Sequence, residues 1–273
     1  MSLAHVGYHY EGQAPALREA TLSLQTGERV VLLGCNGAGK STLFLLCNGV
    51  LTPDAGEIRL DGKPIGRKDK DLRALRQAVG LVFQDPDDQL LGATVESDIS
   101  FGPLNLGLSA EETLAAVEEA MEAMDLTQLR SRPPQYLSGG EKKRVSIADI
   151  LAMQARILLL DEPTASLDPA HTARLEQTLL QLHERGLTLV VSTHDAAFAW
   201  RWAERALVLA GGEILADGPV WQIFADDDLL CRAGLQKPEL YRMAELLLPD
   251  LPRAQYPRSV EQLQLLLQEK HHG

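Results

Sequence analysis

The sequence predicts an α/β fold: a mixed, mainly parallel sheet core, an antiparallel β subdomain, an inserted helical subdomain and a C-terminal helical extension. Three observations predict it. Arg29-Val30-Val31-Leu32-Leu33 is a β-branched apolar run that meets a glycine-rich loop, Gly34 to Ser41, and then an apolar stretch of helical length, Thr42 to Cys47. Similar short apolar runs recur at Val79–Phe83, Ile157–Leu160 and Leu187–Thr193, the pattern of strands buried on both faces of a parallel sheet. Helical stretches lie between these runs and after the last of them.

The elements follow in order. Residues 3 to 33 alternate apolar and polar, with turns at Glu11-Gly12 and Thr26-Gly27, and read as several short strands leading into the glycine loop. After the first helix, Pro53-Asp54-Ala55-Gly56 reads as a turn, Glu57 to Leu60 as a strand and Asp61-Gly62 as a hairpin turn. The run Val79–Phe83 ends on Gln84, and from Asp85 the chain is rich in Pro, Gly and Ser among apolar anchors until a helix from Ser109 to about Asp125, with Glu111 and Glu112 in its first turn. Leu137-Ser138-Gly139-Gly140-Glu141 opens another helix, whose Val145, Ala148, Leu151 and Ala152 share a face. Residues from about 86 to 153 are therefore expected to form a helical insert within a domain spanning 1–218. A β-hairpin at Arg205–Leu215 turns at Gly211-Gly212, and 219–273 is expected to be a leucine-rich helical extension broken by Pro238, Pro249, Pro252 and Pro257.

Composition narrows the function classes. A chain of 273 residues with 45% hydrophobic content can bury a sizeable core. No apolar run approaches the ~18–20 residues of a membrane span, and the start, MSLAHVGYHYEG, lacks a basic region followed by an apolar one, so the protein is expected to remain in the cytoplasm. Cys35, Cys47 and Cys231 have no paired spacing, and the seven histidines are scattered. The net charge of −12 argues against nucleic acid or an anionic lipid surface as the main partner.

The chemistry-bearing residues stand at the carboxyl ends of the predicted strands. Gly34-Cys35-Asn36-Gly37-Ala38-Gly39-Lys40-Ser41 fits a phosphate-binding loop: glycines let successive N–H groups turn inward, Lys40 reaches β- and γ-phosphates, and the Ser41 hydroxyl reaches Mg²⁺. Thr42 follows at the helix start. Asp161 can hold the metal, Glu162 is placed to polarise an attacking water, and Gln84 and His194 end two further runs where a metal contact and a γ-phosphate sensor are needed.

Taken together, these residues resemble the ATP-binding-cassette ATPases, a family of P-loop NTPases. The likeness covers about residues 3 to 220 and includes a signature loop, LSGGE at 137–141, ILLLDEP as the second nucleotide motif, Ser166-Leu167-Asp168 as a following loop and His194 as the switch. The resemblance implies ATP and Mg²⁺ as ligands, Tyr10 stacking on adenine, and a head-to-tail dimer in which Ser138, Gly139 and Gly140 meet the γ-phosphate held by the opposite subunit. With one cassette per chain, a homodimer or a heterodimer with a similar ATPase is implied. The stretch FQDPDDQLLGATVESDISFGPLNLGLS resembles the ATPases of energy-coupling-factor importers, and the whole chain is most similar to their cobalt or nickel members. That likeness implies a peripheral place on the cytoplasmic side of the cell membrane, against a transmembrane coupling protein that carries a small membrane-embedded substrate-binding subunit. It puts the coupling protein's helices near Gln84 and the segment after it.

Three residues depart from the family pattern. Glu141 stands where Gln is usual, placing a carboxylate near an anion site, where it is expected to weaken γ-phosphate contact unless Lys142 or Lys143 compensates. Asp149 replaces a small or basic residue. Cys35 brings a thiol to the phosphate loop at a helix N-terminus, where alkylation is expected to block ATP binding. Alternative readings are a vitamin-importing ATPase of the same type, a soluble cassette acting on ribosomes or DNA, and a non-cassette nucleotide switch. The acidic single cassette argues against the soluble class, and the signature loop with Gln84 against the switch.

Overall fold

Alternation along one strand sets up both cores of the molecule. In the computed structural model, which describes residues 1–165 and 167–272, β3 (Arg29–Leu33) sends Val30 and Leu32 into one apolar cluster and Val31 and Leu33 into the other. It is flanked in parallel by β8 (Thr188–Thr193) and β9 (Arg205–Ala210). Beyond β8 lie β7 (Ile157–Asp161) and then β6 (Val79–Val82), both parallel. β10 (Glu213–Pro219) pairs antiparallel with β9, giving the order β10-β9-β3-β8-β7-β6. Every residue of β6, β7 and β8 is buried, which explains their lack of polar alternation.

A second, antiparallel sheet covers one face. It has the order β2-β1-β4-β5, from β1 (Ser2–His9), β2 (Pro15–Ser23), β4 (Ala55–Leu60) and β5 (Lys63–Pro64). Leu3, Val6, Leu17 and Ile58 from this sheet share their cluster with Leu43, Phe44 and Leu46 of α1 (Lys40–Cys47). The turn expected at Pro53–Gly56 is shorter than that, because Ala55 and Gly56 already belong to β4.

The opposite face is covered by helices. α3 (Val95–Leu106), α4 (Ala110–Ala123) and α5 (Gly139–Ala152) pack on one another and join the cluster of Val31, Leu158 and Leu160. Two helices are additions to the sequence reading. α2 (Asp69–Ala78) buries only Leu75 and Ala78, and α3 runs through Gly102-Pro103, which read as a breaker. Gly102 is needed for close packing, since a Cβ there would stand 2.6 Å from Met153 Cγ of the loop after α5. α6 (Pro169–Glu184) and α7 (Ala196–Trp202) complete this layer.

The last helices are α8 (Val220–Ala225), α9 (Asp227–Ala233), α10 (Glu239–Leu247) and α11 (Val260–His272), and α8, α10 and the segment before α11 close over Trp200 of α7. Trp200 is 1% exposed; its Nε1 donates to Pro257 O at 2.8 Å, Tyr241 meets its ring edge-on with centroids 4.9 Å apart, and the Arg258 guanidinium lies 4.3 Å from its centroid. Ser166 and the side chains of His271 and His272 lie outside the described residues.

Candidate active site

The parallel strands end together on one rim of the sheet, and the polar residues after them converge there. The loop after β3 passes through Gly37 and Gly39, both at positive φ, and delivers Lys40 as the first residue of α1. Gly39 has φ 107°, and a Cβ on it would stand 2.6 Å from Ala16 O, so the position needs glycine twice over. Tyr10, Cys35 to Thr42, Gln84, Asp161 and Glu162 line one cavity of about 570 Å³. Tyr10 donates to or accepts from Thr42 Oγ1 through its hydroxyl at 3.2 Å. Gln13 to Ala16 also line the cavity, a contribution the sequence reading missed although the Gly12 turn marks where the chain folds back.

Lys40 and Glu162 form the most enclosed pair. Lys40 Nζ donates to Gly34 O at 2.6 Å and lies 3.2 Å from Glu162 Oε1, with the two side chains only 6% and 8% exposed. His194, just past β8, sets Nδ1 3.1 Å from both Glu162 oxygens. Glu162 adopts φ 42°, a left-handed conformation that its backbone N–H stabilises by donating to Ser192 O at 3.2 Å and Ser192 Oγ at 3.1 Å. The Ser192 hydroxyl donates to Asp161 Oδ1. Ser41, Gln84 and Asp161 thus offer hydroxyl, amide and carboxylate oxygens at one rim, a hard-oxygen set that fits Mg²⁺.

The signature loop opens a different cavity. Gln84 to Asp88, Gly139, Lys142, Lys143 and Asp161 line a space of about 580 Å³ beside the first, and Ser138 to Gly140 do not line the phosphate-loop cavity. Ser138 caps α5 reciprocally: its Oγ accepts from Glu141 N at 3.3 Å, and Glu141 Oε2 accepts from Ser138 N at 2.7 Å. That bond to the Ser138 N–H is the main reason the Glu141 carboxyl sits below its usual range. Among the described residues, neither lysine pairs with Glu141. Glu141 is turned back into the cap, Lys142 pairs with Asp87 at 2.6 Å, and Lys143 is held by backbone carbonyls. Burial pushes the Lys143 amine down to about 8, with Asp85 and Asp161 opposing the shift. The ring of His171, whose Nδ1 lies 2.7 Å from Asp168 Oδ2, packs on Gly140; a Cβ there would stand 2.6 Å from its Cδ2.

Cys35 is exposed and lines the phosphate-loop cavity, and its thiol donates to Ala233 O and Gly234 O, each at 3.3 Å, at the carboxyl end of α9.

Residues 17–165 match the ABC transporter family. The chain belongs to this family of ATP-binding-cassette ATPases. Energy-coupling factor transporter ATP-binding protein EcfA2 of Methanospirillum hungatei is 42% identical over 275 residues, covering 100% of this chain and 69% of that protein. Cobalt import ATP-binding protein CbiO of Rhodobacter capsulatus is 46% identical over 259 residues, covering 94% and 92%. Among solved structures, cbiO1 of Clostridium perfringens, described as part of the ABC transporter complex cbiONQ, superposes with a TM-score of 0.77 at 35% identity, covering 91% of this chain and 95% of that one. A dimeric ATP-binding cassette in a post-hydrolysis state bound to ADP and Pi gives 0.72 at 30% identity, covering 80% and 98%. This ABC ATPase hydrolyses ATP, and no helix among its described residues is long and apolar enough to cross a membrane.

Proposed function

We propose that this chain is the ATP-hydrolysing subunit of an energy-coupling-factor importer for cobalt or nickel ions, attached to the cytoplasmic side of the cell membrane. The observation that carries the hydrolytic part is the enclosed Lys40–Glu162 pair with His194 on its open side. The transport part is supported by similarity over 92% of the length of a cobalt-import ATPase.

ATP enters the phosphate-loop cavity with its adenine against Tyr10. Its phosphates accept from the loop N–H groups and draw Lys40 Nζ away from Glu162. The freed Glu162 carboxylate accepts a proton from water as the water oxygen attacks the γ-phosphorus, and the bond from that phosphorus to the bridging oxygen breaks to leave ADP and phosphate. His194 orients Glu162 and donates to the γ-phosphate. Ser41, Asp161 and Gln84 would hold Mg²⁺, which supplies charge neutralisation on the β- and γ-oxygens.

The separation of the signature loop from the phosphate-loop cavity within one chain supports a head-to-tail dimer. There the first N–H groups of α5, at Gly139 and Gly140, which have no acceptor within their own helix, would meet an anion and complete the other subunit's site with Ser138. Closure on ATP and reopening after hydrolysis would then drive a transmembrane coupling protein. Its docking surface is the exposed Leu91, Phe101 and Leu104 beside the Gln84 segment, at 82%, 65% and 56% exposure. The test is radiolabelled Co²⁺ uptake by cells carrying this chain with its coupling protein and small membrane subunit. Uptake that disappears with Glu162→Gln supports the reading. Uptake indifferent to that change overturns it, and capture of labelled vitamin in place of metal reassigns the cargo.

A further inference from the structure

The backbone that carries Gln84 is gripped from α5. Lys143, only 2% exposed, donates through Nζ to Phe83 O at 3.0 Å and to Gln84 O at 2.7 Å. On the other side, Phe83 N donates to Gln89 Oε1 at 3.3 Å. Gln89 is in turn anchored on α5, where its Nε2 donates to Ser146 O at 2.7 Å and to Asp149 Oδ2 at 3.2 Å. Three backbone groups of the segment, Phe83 N, Phe83 O and Gln84 O, are thus bound by two side chains that belong to or rest on one helix. β6 itself ends at Val82, so this grip, and not the sheet ladder, fixes where Gln84 stands.

We propose that Lys143 is a positioning residue for Gln84, assisted by Gln89, and that it joins the signature helix and the metal rim into one moving piece. A buried ammonium is retained where its hydrogens find acceptors, and here two carbonyls of the Gln84 segment accept two of the three. Because Lys143 stands within the first two turns of α5, a rotation of that helix on the signature loop carries the Gln84 carbonyl with it. The amine lines the neighbouring cavity with Gln84 and Asp161, not the phosphate-loop cavity, and its charge also acts on Asp161. Lys143→Arg, which keeps that charge, and Gln89→Leu, which leaves it untouched, separate this effect from the grip on the Gln84 segment. This inference rests on the reading that Gln84 contacts the metal.

The test is Mn²⁺ affinity, read by electron paramagnetic resonance on the full chain with a non-hydrolysable ATP analogue, beside analogue affinity without metal. Lys143→Met is expected to weaken Mn²⁺ binding on the order of tenfold, to leave metal-free analogue affinity within about twofold by the same argument, and to add nothing in a Gln84→Ala background. Lys143→Arg, which keeps a donor, should restore most of the loss. Gln89→Leu, should Lys143→Met fail to fold, is expected to give the same loss and the same lack of additivity. A full additional loss in the Gln84→Ala background, or no loss from Lys143→Met where Gln84→Ala does weaken Mn²⁺, overturns the proposal. Unchanged Mn²⁺ affinity in Gln84→Ala alone overturns the metal reading and this inference with it.

Discussion

Lys40 Nζ and Glu162 Oε1 stand 3.2 Å apart, joining the phosphate loop to the carboxyl end of β7 through two side chains almost closed to water. On the proposed mechanism, a γ-phosphate and Glu162 compete for one ammonium, and Glu162→Gln removes the competitor and the proton acceptor together. Turnover is expected to fall by about 10² or more, while ATP affinity measured by calorimetry holds or tightens. Near-normal hydrolysis would assign water activation to another group.

The reverse change isolates the cation. Lys40→Met leaves the Glu162 carboxylate buried with only the exposed His194 beside it. ATP binding should be lost and folding stability should fall by about 3 kcal/mol, the scale of a broken buried pair. Urea unfolding checks this, and Lys40→Met with Glu162→Gln should recover most of the stability without recovering binding.

Asp149 carries a pH dependence. Burial, then the neighbouring Asp98, raises its carboxyl well above the usual range, against a hydrogen bond from Gln89. Asp149 Oδ1 and Asp98 Oδ2 are both buried without a hydrogen-bond partner among the described residues. A carboxyl whose folded value is raised favours folding below its unfolded value, and that contribution is lost as pH rises toward the folded one. Asp149→Asn should thus be more stable than the parent at pH 7 by about 1–3 kcal/mol. The gain should shrink to nothing as the medium is acidified below the ordinary carboxylate range. Thermal unfolding across that window reads the sign, and a gain that persists in acid would remove burial of charge as its cause.

The C-terminal helices are part of the core. Removing residues 220–273 strips Tyr241, Phe224 and Tyr256 from the cluster around Trp200, together with the acceptor for its Nε1. The shortened chain is expected to aggregate, or to bind a hydrophobic dye in a state without cooperative unfolding. A soluble, cooperatively folding 1–219 fragment would make that segment an independent appendage.

The site rim was legible because short, mostly apolar β runs announce their own ends, and Gln84, Asp161, Glu162 and His194 stand at or just past those ends. Ser109 and Ser138, each followed three residues later by Glu, were legible as helix starts for the same local reason. α3 was not, because Gly102 and Pro103 carry opposite meanings in a turn and in a late helical turn pressed against Met153. The hold of Lys143 on the Gln84 carbonyl, and Ser192, were not legible in the sequence. Their importance lies in partners 59 and 31 positions away, and no local pattern encodes such a distance.

One such long-range contact ties the inheritance of two distant positions. Cys35 and Gly234 are separated by 199 positions, yet a single methyl group added at Gly234 would come within 2.9 Å of the Cys35 sulfur. Gly234 also holds a left-handed helix end that other residues resist. Descendants of this chain that enlarge residue 35 must therefore first withdraw the end of α9, whereas those that shrink it lose the donor that caps two of its carbonyls. The two positions are expected to drift as a pair, and a phosphate loop transplanted from a relative without its own α9 terminus should arrive mismatched.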